Sequence, residues 1–219
     1  SSLMRFDLNG NLLWTKTASQ YSFQALTSTE LEFDSEHNFF FSHQDGCCGN
    51  PMIVLKCDTN GNILWNRYFY PPSITGLEDI HYPTAIVIDR NNGIVFGYEE
   101  YINQDTLNQR FYRIDKNGND LWQKNIQTNI TFGYQFSFDT ANTLYALIPP
   151  LNRLDVYDTL GNTIYQYGLG QGSPYQLFVL SDNRVVVSKA INNVSNAYQL
   201  KQLPLNGYPA KSYAYNTDG

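Results

Sequence analysis

Charge is scarce in this 219-residue chain: only 16% of residues are Asp, Glu, Lys or Arg, against ~25% in an ordinary soluble domain. The 14 basic residues are outnumbered by 20 acidic ones, for a net charge of −6. The cation excess that phosphate neutralisation demands is missing, which excludes nucleic acid as a partner class. No apolar run approaches the ~20 residues of a membrane helix, so no membrane span is expected. The chain opens on Ser1 with neither an initiator Met nor a signal-like segment, which reads as a processed or cut end. Histidine is limited to His37, His43 and His81, all in turn or loop neighbourhoods and none beside a serine in a nucleophile-elbow context. Paired acids occur at Glu78-Asp79 and Glu99-Glu100. A glycosidase needs two carboxyls converging at a fixed separation, whereas adjacent residues on a strand point to opposite faces. These acids read as solvated, and no catalytic set is expected.

What is abundant is aromatic: 17 Tyr and 13 Phe lift Phe, Trp and Tyr to 15%, a composition that suits pleated strands joined by tight turns. The chain also repeats itself. Leu3 to Lys16, Ile53 to Arg67, Phe111 to Lys124 and Leu154 to Tyr167 align without gaps around Asp-x-x-Gly-Asn. A worn fifth copy, Leu200 to Tyr215, keeps Gly207 but has lost the Asp and the Trp. The glycines Gly10, Gly61, Gly118, Gly161 and Gly207 recur at intervals on the order of 50 residues, the period of four-stranded propeller blades.

Each core reads as a β-hairpin. Asp7, Asp58, Asp115 and Asp158 can fold their carboxylates onto turn amides, and Gly10, Gly61, Gly118 and Gly161 supply the positive φ of a bulged turn. A second hairpin lies between successive cores: Ala25–Phe33 with Asn38–His43, Pro83–Ile88 with Gly93–Glu99, Phe132–Phe138 with Thr143–Ile148, and Tyr175–Leu180 with Arg184–Ala190. Two hairpins per period make a four-stranded blade. The expected fold is therefore all-β, a β-propeller of four-stranded antiparallel blades forming a single domain, or propeller fragment, over residues 1–219. A leading half-blade at Leu3–Lys16 precedes full units at Tyr21–Tyr70, Tyr82–Gln127, Thr131–Tyr167 and Ser173–Tyr215. Four and a half blades close poorly, so the leading hairpin is expected to pair with inner strands from the chain's other end or from sequence outside these residues. Connections at Gln44–Pro51, Tyr70–Tyr82 and Glu100–Gln109 are expected as face loops, where ligand contacts sit.

The Asp-x-Asn-Gly-Asn-x-Leu-Trp-x-Lys/Arg pattern at residues 7–16, 58–67 and, with Asp for the last x before Leu, 115–124 resembles the propeller repeats of large secreted bacterial proteins, often ones ending in a type IX secretion sorting domain. More distantly it is similar to the tryptophan-docking repeats of quinoprotein dehydrogenases and of outer-membrane assembly propellers. It departs from the quinoprotein pattern in lacking the Thr-Gly turn and the Ala that begins each core. The resemblance implies a secreted or cell-surface, non-enzymatic binding or scaffold module without a cofactor, meeting protein or glycan through its face loops. The alternative it leaves open is a quinoprotein-like oxidoreductase with a cofactor in a central channel.

Trp14, Trp65 and Trp122, with Tyr165 in the equivalent place, are expected to be buried as wedges between blades. The Asp-rich turns lack the alternating ligands and bidentate Glu of a calcium loop, so they read as turn chemistry. One constellation stands outside the repeat: His43, Cys47, Cys48 and Cys57. Its spacing matches no paired zinc knuckle. If Asn38–His43 and Met52–Cys57 pair, Cys57 lies opposite Asn38, on the order of 15 Å along the strand from the loop, too far for a disulfide. Two states remain for the adjacent pair, a vicinal Cys47–Cys48 disulfide or free thiols, and a secreted context favours the bridge. Quinoprotein dehydrogenases use such a ring against their cofactor, which makes this loop the main argument for an enzyme.

Overall fold

The computed structural model describes residues 2–17, 31–44, 51–70, 81–103, 106–128, 133–170, 172–190, 197–206 and 208–216. A two-stranded sheet comes first, β1 (Ser2–Phe6) and β2 (Leu12–Thr17). Four four-stranded antiparallel sheets follow. They are β3 (Leu31–Phe33), β4 (Phe39–Gln44), β5 (Met52–Cys57) and β6 (Ile63–Phe69); β7 (His81–Ile88), β8 (Ile94–Asn103), β9 (Thr106–Ile114) and β10 (Asp120–Thr128); β11 (Gln135–Phe138), β12 (Leu144–Ile148), β13 (Arg153–Tyr157) and β14 (Thr163–Gly168); and β15 (Pro174–Val179), β16 (Val185–Ala190), β17 (Ala197–Gln202) and β18 (Lys211–Asn216). Within each sheet the strands lie in chain order. These are the blades of a β-propeller fold.

Burial along the strands follows from position within a blade. Every residue of β5 and of β12 is buried; β5 owes this to an apolar cluster on each face, Met52 and Val54 in one and Ile53 and Leu55 in the other. Fourth strands alternate instead, as in β6 and β10, with one face against a neighbour and the other toward water. The period-2 geometry divides the Phe39-Phe40-Phe41 run between two cores. Phe39 and Phe41 join Ile53, Leu55 and Cys57 against Leu3 and Trp14. Phe40 faces the other way, with Met52, Val54, Phe69, Ile86 and Phe96.

Contacts group the chain into two compact units. Ser1–Leu121 with Asn125–Gln127 form one, and Trp122–Lys124 with Thr128–Gly219 the other. In the second, Leu147, Leu154, Val156, Leu177, Val185 and Val187 make a continuous core between two blades.

The structure departs from the sequence reading at two points, and some expected features lie outside the described residues. The expected loop Glu100–Gln109 is largely strand: β8 runs to Asn103 and β9 starts at Thr106, and their pairing extends to Asn103↔Thr106. Cross-strand pairing carries a polar stretch into regular structure that its composition alone would leave irregular. Cys57 pairs with Phe39 rather than Asn38, a one-residue difference in register. Of the expected strand Ala25–Phe33 only Leu31–Phe33 lies within the described residues; so placed outside them are residues 45–50, with Cys47 and Cys48, residues 71–80, and Gly207.

Candidate functional site

Two sets of turns carry the polar chemistry of the blades. The outer turns join the third and fourth strands, and their aspartates all act alike. In the first, Asp7 Oδ1 accepts the amides of Asn9 and Asn11, both at 2.8 Å, and Oδ2 accepts the Asn11 side-chain amide. Asp58, Asp115 and Asp158 repeat the pattern with Asn62, Asn119 and Asn162. Gly10, Gly61, Gly118 and Gly161 sit at φ +84°, +76°, +86° and +82°, the left-handed region that only glycine enters without strain.

The tryptophans explain why Gly and Trp recur together. Each indole N–H donates to the carbonyl that follows the aspartate in the next outer turn: Trp14 to Thr59 at 3.0 Å, Trp65 to Lys116 at 3.0 Å and Trp122 to Thr159 at 3.3 Å. A Cβ on Gly61, Gly118 or Gly161 would meet the Trp14, Trp65 or Trp122 ring at 3.3, 3.4 and 2.7 Å respectively. The rings lie across the glycines. They are half-buried rather than buried as expected, because they stand on the outermost strand, where Trp14 and Trp65 meet the edge of a core cluster and each ring also caps a turn. Tyr165 is 59% exposed, and the next outer turn in the chain, at 203–206, is the worn copy without an aspartate.

The inner turns, between first and second strands, share this backbone skeleton although their sequences differ. Asp34, Asp89 and Asp139 accept amides two and four residues on, and Leu180 keeps the two backbone bonds without a carboxylate. The position of the glycine is taken by His37, Asn92, Asn142 and Asn183, all with φ of +62° to +64°. Two of these aspartates hold buried cations: Asp34 lies 2.9 Å from Lys56 Nζ and Asp89 lies 2.6 Å from Arg113. Neighbouring inner turns are also tied side by side. Ser35 donates its amide and hydroxyl to Asn92 Oδ1 at 3.1 and 2.9 Å, and Thr140 does the same to Asn183 Oδ1 at 3.1 and 3.0 Å. Sequence reasoning set these turns within the second hairpin of each repeat and missed the skeleton they share with the outer turns; the signal was an Asp three residues before His or Asn in three of the four.

Titration follows from this geometry. The Asn62 amide holds the Asp58 carboxyl below the ordinary 3.8 despite partial desolvation. Burial pushes Asp34 and Asp115 up, but hydrogen bonds from Lys56 and Asn38, and from Asn119, outweigh it and leave both lowered. A folded-state value below the unfolded one stabilises above the unfolded value and is lost as pH falls through the folded one. The melting temperature should therefore hold level from pH 7 to about 5 and fall steadily below about 4. Thermal melts across that range check it, and a flat profile down to pH 2.5 contradicts it. In the second unit, burial raises Tyr145 to about 12 and moves Tyr157 further in the same direction.

Two concave surfaces lie in the first unit. A cleft of about 290 Å³ is bounded by Met4, Trp14, Leu31, Phe33, His37 and Phe39. A shallower groove of about 460 Å³ runs beside the inner turns, between Glu32–Ser35 and Val87–Arg90. Among the described residues there is no group of three His, Cys, Asp or Glu side chains that could hold a metal ion, and no helix is long and apolar enough to cross a membrane. His43 lies in β4 and Cys57 is fully buried in β5; Cys47 and Cys48 are outside the described residues.

No family model matches the chain, and no curated protein matches it. Similarity is found among solved structures. A Bacteroides caccae protein of unknown function superposes with TM-score 0.59 at 11% identity over 95% of this chain and 66% of its own. A catalytically inactive virginiamycin B lyase from Staphylococcus aureus, solved with quinupristin, gives 0.60 at 13% identity over 100% of this chain and 64% of its own. A subtype N10 neuraminidase-like protein of a bat influenza virus gives 0.56 at 14% over 87% and 68%. At such identities the likeness is one of fold. The chain spans about two thirds of the length of the first two.

Proposed function

We propose that this chain is a non-enzymatic binding or scaffold module of a larger secreted or surface-attached bacterial protein, of the kind exported with a type IX sorting domain, and that it meets protein or glycan partners through its faces. One observation carries the reading: the described buried carboxylates are consumed by the blades themselves. Asp34 and Asp89 are each held by turn amides and by a buried cation. Asp139 is held by turn amides and the Tyr145 hydroxyl, and Asp155 is bonded to Arg153, Tyr157 and Gln166. A general acid or base must face a reacting atom with a proton to exchange, and carboxylates so engaged serve rigidity. The groove beside the inner turns offers a contact surface in which backbone and side chains are already fixed by the turns, the condition that lowers the entropic cost of binding. The lyase activity of a fold neighbour belongs to that protein.

The test is made on the native gene product. Fractionation of the source cells with an antibody should place it in the medium or the cell-surface fraction, and a glycan array with cross-linking on intact cells should identify its contacts. Protein purified from the source should absorb only where peptide and aromatic groups do. A cytoplasmic location, or the visible or near-ultraviolet band of a bound quinone, overturns the proposal.

A further inference from the structure

The leading sheet differs from the others in a way that specifies a ligand. Its outer turn at Asp7–Asn11 is the counterpart of Asp58–Asn62, so β1 is the counterpart of β5 and β2 of β6. Two residues of β5, Leu55 and Cys57, are wholly buried, and their counterparts on β1, Met4 and Phe6, are 52% and 54% exposed. In the complete blade β5 is hydrogen-bonded on both sides, to β4 and β6. Among the described residues β1 pairs with β2 alone, which leaves one edge as a template for another strand. The 290 Å³ cleft bounded by Met4, Leu31 and Phe33 adjoins β1.

Two polar positions then define what would fit. Arg5 is the counterpart of Lys56 and Arg113, the cations that pair with the inner-turn aspartates Asp34 and Asp89 of their own blades. His37 occupies, with φ +64°, the turn position at which Asn92 (φ +62°) and Asn183 (φ +64°) accept the amide and hydroxyl of Ser35 and Thr140 from the preceding blade. We infer that the β1 edge and the cleft beside it form an acceptor site for an antiparallel β-hairpin of this chain's own inner type. The hairpin carries alternating apolar residues and an Asp-Ser or Asp-Thr turn, its Asp pairing with Arg5 and its Ser or Thr donating to His37. Main-chain pairing along β1 supplies affinity, and the two turn contacts supply specificity. Both contacts continue an interface already repeated between the blades, and the site adjoins the groove beside the inner turns at Phe33, which lines both.

A labelled peptide of residues 135–148, which carries the Asp139-Thr140 turn, supplies the probe, and fluorescence anisotropy with the 219-residue chain supplies the readout. Saturable binding is expected. An Asp139→Asn peptide should bind about tenfold more weakly, as befits a lost charge-assisted bond, and that penalty should vanish on an Arg5→Met chain. A Thr140→Ala peptide should lose about fivefold. This second penalty should vanish on a His37→Ala chain and persist on His37→Asn, which restores the acceptor used in other blades. Arg5 and His37 are exposed, and Arg5 also donates to the Thr59 carbonyl, so thermal melts and far-ultraviolet circular dichroism must first verify that each variant folds as the parent does. The inference is overturned by absence of saturable binding, or by penalties that do not depend on Arg5 and His37. It is equally overturned by sedimentation showing that a second copy of the chain fills the site and excludes the peptide. None of these outcomes depends on where the protein resides, so they are separate from the test of the proposed function.

Discussion

Replacing Asp89 with alanine is expected to cost about 3–5 kcal/mol of folding free energy. Asp89 is 4% exposed and its carboxylate lies 2.6 Å from Arg113, whose side chain is 3% exposed. The same carboxylate accepts the amides of Asn91 and Gly93 at 2.8 and 2.9 Å. Removing it strands a guanidinium that cannot give up its proton in a place with little water to solvate it. By contrast, Arg67 and Asp120 are as close, at 2.7 Å, but their side chains are 31% and 58% exposed, and breaking that pair should cost no more than about 1 kcal/mol. Coulomb attraction in isolation would rank the two pairs equally; desolvation separates them. Urea titration of Asp89→Ala, Asp120→Ala and the double variant Asp89→Leu/Arg113→Leu decides the matter. The double variant should recover most of the loss, because two apolar side chains leave no charge behind. An Asp89→Ala loss below 1 kcal/mol would show that the ion pair does not carry the turn.

Gly161→Ala is the second large effect, about 2–4 kcal/mol, compounded from a positive φ and an overpacked contact. The backbone sits at φ +82°, and a new Cβ would lie 2.7 Å from Cγ of Trp122. Gly10→Ala provides the control: φ is +84° and nothing lies within 4 Å, so only the backbone cost of about 1–2 kcal/mol remains. Thermal melts of the two variants read the difference, and tryptophan fluorescence should shift for Gly161→Ala alone. Equal losses at both sites would mean that the indole gives way freely.

The outer turns were legible because three chemical requirements fall on adjacent residues of one strand-turn-strand unit. An aspartate satisfies the turn amides, a glycine supplies the left-handed φ, and a tryptophan lies across the neighbouring glycine. The inner turns were less legible. His37, Asn92, Asn142 and Asn183 adopt the same conformation with four different neighbours on either side, and Leu180 replaces the aspartate outright, so no residue shared by all four announces the shared geometry. The tryptophans were placed correctly in sequence and too deep in space, since periodicity reports equivalence among positions and not depth of burial. Residues 100–109 read as a loop because they form one of the longest connections between the expected strands; the pairing of β8 with β9 extends both strands into it, a cross-strand effect that a single segment does not announce. The cleft beside β1 had no linear signature at all, as Met4, Phe33 and His37 come from separate strands and turns.

The turns also bear on how this protein ages. Asn9-Gly10, Asn60-Gly61 and Asn117-Gly118 in outer turns and Asn92-Gly93 in an inner one are four of the five Asn-Gly dipeptides of the chain, the steps most prone to deamidation, in which the glycine nitrogen attacks the asparagine side chain to close a succinimide. In every one of these turns that nitrogen is already committed. Gly10, Gly61 and Gly118 donate to the carbonyls of Asp7, Asp58 and Asp115 at 3.1, 2.9 and 3.0 Å, and Gly93 donates to the Asp89 carboxylate at 2.9 Å. Succinimide formation has to break such a bond and rotate a turn held at its other amides, so the native fold protects asparagines that the unfolded chain exposes. Isoaspartate at these four positions would then act as a record of how often each blade has opened.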